Sequence, residues 1–218
     1  MTIKNNQFAK KLINTFTKNK KLKKSEIELM REFDQFIAQG RINEGILSIK
    51  EILRRSPSSI PLNILLHSLL VQTQHKSMLA QHTKTFLPLL IKMESYDIAA
   101  DVYIAAHRLN NNCKPNDPDC YYHLANELRK RNHSKTAINL LKDFHKKFKN
   151  NPNTARNYLL VAEIYAEDLQ DQLRAKKILS FIHQTWPTSQ WAKQAKKYYR
   201  LVNKIVQNQL LSPISTFA

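Results

Sequence analysis

Two glycines in 218 residues, Gly40 and Gly45, are the tightest constraint this chain places on its own fold. Dinucleotide- and phosphate-binding loops need several glycines where backbone must approach phosphate, so a Rossmann fingerprint and a P-loop are both excluded. Sheet proteins built on tight hairpin turns also need glycine. What remains is a chain rich in Leu, Ile, Lys, Ala, Gln and Glu, the composition of helices. Apolar residues make up 42% of it, enough for a folded core.

A helical apolar period runs almost throughout. It breaks at Ser56-Pro57-Ser58-Ser59, at Asn110 to Pro118, at Asn150-Asn151-Pro152-Asn153 and at Trp186-Pro187-Thr188-Ser189. The intervals hold two helices each, with more in the longer middle one, which is the layout of stacked helical hairpins. Gly40 is placed to end one helix in a left-handed cap. Gly45 then offers a small surface where the next helix crosses its neighbour, and Pro57 stops that helix. The same order recurs in Tyr121 to Pro152, where Leu124 and Ala125 precede Ala137, Leu141 and Phe144. It recurs again in Tyr158 to Pro187, where Val161, Ala162 and Tyr165 precede Ala175, Leu179 and Ile182. Ala99, Ala137 and Ala175 fall at one 38-residue interval, the mark of a repeat array.

This order of small and aromatic residues with a closing Pro resembles the tetratricopeptide repeat family. Gly40 to Pro57 matches the family's second-helix spacing without a gap. Tyr158 to Pro187 carries one inserted residue, and Pro152 falls three residues late. Residues 60 to 92 hold two apolar helices in too short an interval. The ending Trp-Pro-Thr-Ser-Gln-Trp-Ala before a last helix resembles bacterial envelope-assembly members of the superfamily. The resemblance implies an all-α fold, a right-handed α-α superhelix of about ten helices. The expected organisation is a basic amphipathic arm over 1–24, a solenoid with a C-terminal capping helix over 25–209 and a loose tail over 210–218.

The formal net charge of +18 favours anionic partners. Residues 1–24 hold eight lysines and no acid, with Phe8, Leu12 and Phe16 forming one apolar stripe at four-residue spacing. Such a helix either caps the first repeat or lies on an anionic surface, with Lys10, Lys11, Lys18, Lys20 and Lys21 as the contacts. Membrane lipid or nucleic acid would be that surface, nucleic acid being the less favoured. The family resemblance maps a peptide-binding groove onto Tyr122, Asn126, Arg129 and Lys130, then Arg156, Leu159 and Glu163, then Lys196 and Arg200. It implies a protein or peptide partner, acidic or polar. The carboxylate-clamp form of the family is not supported, because Tyr122 stands where its lysine would precede Asn126.

No metal or cofactor is expected. Cys113, Cys120, His123 and Glu127 match no standard zinc spacing, and the cysteines read as free thiols unless the chain is exported, when they would be free to pair. Eight histidines form no H-E-x-x-H pair and no G-x-S-x-G is present, so a non-enzymatic binding role is expected. The windows Ile60 to Val71 and Phe86 to Ile91 fall short of the ~20 residues that span a bilayer and read as buried helices. The expected compartment is the cytoplasm, or the soluble portion of a membrane-associated assembly facing cytoplasm or periplasm.

Overall fold

The computed structural model describes residues 7–18 and 24–211. All regular elements in them are helical: α1 (Gln7–Thr17), α2 (Lys24–Ala38), α3 (Ile42–Arg55), α4 (Ile60–Gln72), α5 (Lys76–Lys92), α6 (Tyr96–Leu109), α7 (Asp119–Lys130), α8 (Ser134–Leu141), α9 (Phe144–Lys147), α10 (Thr154–Glu163), α11 (Gln172–Thr185) and α12 (Gln190–Leu211). A π-helical turn, Ile164–Asp168, continues α10. The fold is thus all-α, as the glycine count and apolar period require. All four breaks read from the sequence separate helices.

One turn joins four pairs of consecutive helices. Gly40 sits at φ +72; its N–H donates to the Ile37 carbonyl at 3.1 Å, and the Arg41 N–H donates to the Phe36 carbonyl at 2.9 Å. This paired closure satisfies the last carbonyls of α2. Gln74, Glu94 and Asn132 take the same left-handed conformation, and the same two hydrogen bonds recur at each. A left-handed non-glycine costs about 1 kcal/mol, so closing each hairpin outweighs that strain. The fifth turn, at Gln170 (φ 55), differs. The Asp171 N–H reaches back to the Tyr165 carbonyl at 2.7 Å, one residue further than elsewhere. The inserted residue of Tyr158 to Pro187 is absorbed in the π turn, so α11 begins in the same register as α8.

Ala99, Ala137 and Ala175 each lie five residues past a left-handed turn and are fully buried. Gly45 holds the same place after Gly40. The 38-residue interval therefore marks one local structure. The layer it marks is not constant: α6 packs on α4 as well as on α5, whereas α8 packs on α7, α10 and the π turn. The late Pro152 has its own cause. The second helix of that hairpin breaks at Asp143 (φ 63), and Phe144 turns in to meet Tyr121 at 5.0 Å between ring centroids.

The contacts divide the chain into two units, Met1–Asn116 and Asp117–Ala218. In the first, α4 is buried at every position from Ile60 to Leu70, because α1, α2, α3, α5 and α6 all pack on it. A helix apolar all round has no solvent face, which is why its stretch shows no repeat pattern. The apolar stripe of α1 belongs to this core: Leu12 is 0% exposed and Phe8 lies 6.4 Å from the His67 ring. In the second unit α7–α8 and α10–α11 are antiparallel hairpins, and α7 touches α10 as α10 touches α12. Among the described residues no helix is long and apolar enough to cross a membrane.

Candidate functional site

The first helices of the second unit, α7, α10 and α12, bring part of the mapped groove together. Arg156 of α10 sits over Tyr122 of α7, its guanidinium carbon 3.4 Å from the ring centre. The Trp191 ring of α12 stands 5.4 Å from the same carbon. This column links two successive hairpins and α12. Arg156 Nε is buried without a hydrogen-bond partner, so stacking on the two rings is what holds the guanidinium there.

One helical turn or more along the same face, Arg129 forms a hub. Its Nη1 donates to Glu163 Oε2 at 3.3 Å, its Nε to Asp168 Oδ1 at 3.1 Å, and its Nη2 to Asp168 and Glu167. Tyr198 of α12 donates to Glu167 at 2.6 Å, and the Ser134 hydroxyl donates to Asp168. Three carboxylates on one guanidinium shape the local electrostatics. Burial raises the Glu163 carboxyl; Arg129 opposes that rise and the neighbouring Glu167 adds to it. Burial alone would lower Arg129, but its bonds to Asp168 and Glu167 carry it above the usual arginine value. The Tyr198 phenol is raised, first by burial and then by Glu167.

The hub forms the floor of an open cleft of about 840 Å³, whose walls include Asn126, Lys130, Ser134 and Lys135. Lys130 is mostly exposed and lies 3.7 Å from Glu127. So Tyr122, Asn126, Arg129, Lys130, Arg156 and Glu163 occupy one face, but the two arginines are already engaged within the chain. Leu159 is not on that face; it is buried in the core with Ala162 and Leu179. Lys196 and Arg200 stand elsewhere too, beside His183 and Tyr199 at a separate cleft between α11 and α12. What α12 presents to the row is Trp191 and Tyr198, seven residues apart and so on one side of the helix.

No protein-family model matches the chain, and no curated protein matches it. Among solved structures, the crystal structure of MamA is similar at 14% identity over 88% of this chain and 98% of that chain, with a TM-score of 0.28. So loose a likeness carries no argument, and the fold stated above rests on the helices and their contacts.

Sequence reasoning missed Ser134, Glu167, Asp168, Trp191 and Tyr198. The inserted residue near 164–168 was the available signal, since it is what turns Glu167 and Asp168 toward Arg129. Of the lysines assigned to an anionic surface, Lys10, Lys11 and Lys18 are exposed, and Lys11 lies 3.8 Å from Asp101. Lys20 and Lys21 lie outside the described residues, as does most of the tail from 210 to 218. Among the described residues no three His, Cys, Asp or Glu side chains converge on a metal-sized site. Cys113 and Cys120 are each free and buried. Burial raises both thiols, and the nearby Asp117 and Asp119 help push Cys120 up to about 12, so neither is a reactive thiolate at neutral pH.

Proposed function

We propose that the chain is a non-catalytic protein-interaction scaffold of tetratricopeptide-like hairpins, and that the face of α7, α10 and α12 holds an extended polar peptide. The Tyr122–Arg156–Trp191 column carries this reading. It ties α7, α10 and α12 into one surface, and its stacking fixes the surface before any ligand arrives. A rigid face loses little conformational entropy on binding. Asn126 offers both a donor and an acceptor to a peptide amide. Lys130 and Lys135 attract carboxylates, while Glu167 and Asp168 limit how acidic the segment can be. A polar peptide with a few acids fits better than a polyanion.

Cross-linked pull-down with the full chain tests it. Wild type should retain a discrete partner in high salt. Asn126→Ala combined with Lys130→Glu should lose it, while Lys177→Glu on α11 should keep it. Equal capture by wild type and both variants would mean that the α7–α10–α12 face does not hold the partner.

A further inference from the structure

The surface that α1 covers in the first unit is built like the one just described. α4 packs on both α2 and α6, as α10 packs on both α7 and α12. α1 lies across α4 and α6, so it occupies a face made by helices that contact each other across the intervening α5. Its apolar side fills that face: Ala9, Leu12 and Ile13 are buried, and Phe8 covers His67. Lys10 and Lys11 are exposed, and Lys11 lies 3.8 Å from Asp101 of α6. α1 itself has only 11 residues and no acid in its first turn or base in its last. A helix that short is marginal in water, so docking is what keeps it helical.

We propose that the α4–α6 face is a docking site for a basic amphipathic helix, that α1 occupies it in cis, and that a partner helix with the same apolar spacing displaces it. The proposal rests on the scaffold reading and specifies the ligand of the first unit. The arithmetic permits exchange. Being part of the same chain gives α1 an effective concentration on the order of millimolar, and three buried side chains on a short helix give it modest intrinsic affinity. To displace it at micromolar concentration a partner helix must bind about a thousandfold more tightly than α1 does, which a longer helix of the same pattern achieves by burying more apolar surface.

The test keeps the full chain, with a protease site inserted between Lys18 and Lys24. After cleavage, a fluorescein-labelled peptide of residues 1–18 is added. Incorporation should rise about tenfold or more over the uncut chain, a Leu12→Asp peptide should not enter, and the stripped body should keep a cooperative thermal melt. Absence of exchange after cleavage, or a body that melts once α1 leaves, makes α1 a permanent core element and overturns the proposal. So does label entering only through particles of twice the mass, which marks swapping between copies. Release of α1 by anionic phospholipid vesicles but not by peptide overturns it in favour of a membrane surface. None of these readouts involves the α7–α10–α12 face, so this proposal and the scaffold reading fail separately.

Discussion

At the residue scale the two glycines do opposite work. A Cβ on Gly40 meets nothing within 4 Å, yet its φ of +72 strains any L side chain. A Cβ on Gly45 would sit 3.5 Å from the Phe36 Cβ, an ordinary contact, in a relaxed helix. The sequence suggested that Gly45 lets two helices close; the geometry leaves room for one methyl there. Gly45→Ala should therefore stabilise by about 0.5–1 kcal/mol through helix propensity, and Gly40→Ala should destabilise by about 1 kcal/mol. Urea midpoints of the two variants check both signs. His67 gives the second residue-scale prediction. It is 0% exposed, and neither ring nitrogen makes a well-formed hydrogen bond. Burial, then the neighbouring His82, lowers it to about 3, with the Val102 backbone offsetting part; burial lowers His82 to about 4 despite its bond to the Asn63 carbonyl. Both are neutral when folded and take up protons near pH 6.5 when unfolded. Their contribution is complete above pH 6.5 and is lost as pH falls toward 4, at up to about 1.4 kcal/mol per pH unit for each ring. His67→Leu should shallow the fall in urea midpoint between pH 7 and 5 by about one proton's worth; an unchanged slope would sink the assignment.

Among the elements, the π turn is the one whose removal has the clearest consequence. It aims Glu167 and Asp168 at Arg129, so the hub depends on one inserted residue. Removing the guanidinium leaves three carboxylates facing one another in a half-buried cleft. Arg129→Leu should cost about 1–2 kcal/mol at pH 7, the cluster being only partly buried, partly regained as pH falls and Glu163, already raised, takes a proton. Glu163→Gln should be neutral within about 1 kcal/mol, since Glu167 and Asp168 still serve Arg129. Denaturation of the pair at pH 7 and pH 5 separates them. Elements also show what the sequence made legible. Helix breaks at proline and asparagine clusters were readable, because those residues act locally. The turns at Gln74, Glu94 and Gln170 were not, because long polar side chains there carry no left-handed signature and only packing imposes it. The groove mapping failed at Leu159 and at Lys196 for a related reason. Family spacing fixes which helix faces a neighbour, but the rotation of α12 was set by Trp191 closing on Arg156, a contact between hairpins that no local pattern contains.

For the whole molecule the deciding quantity is charge. Net +18 on 218 residues means that most lysines have no acid to meet, and self-repulsion opposes folding. Against it stand the ion pairs. Those on the exposed surface, such as Arg54 with Glu51, contribute little. The Arg129 hub is better protected, the arginine side chain being only 18% exposed. Salt acts unequally on the two sides. The Debye length falls from about 30 Å at 0.01 M to about 10 Å at 0.1 M. That removes repulsion across the molecule while scarcely touching contacts near 3 Å. Long-range repulsion is the larger, more salt-sensitive sum here, so the melting temperature should rise on adding sodium chloride up to about 0.1–0.2 M and then flatten. The rise should be smaller in a variant with three exposed lysines, Lys135, Lys177 and Lys193, changed to glutamine, because less repulsion is left to screen. A melting temperature that falls with salt would mean the ion pairs outweigh the excess of positive charge. Short-range ion pairs such as the Arg129 hub, rather than long-range repulsion, would then be the electrostatic term that governs stability.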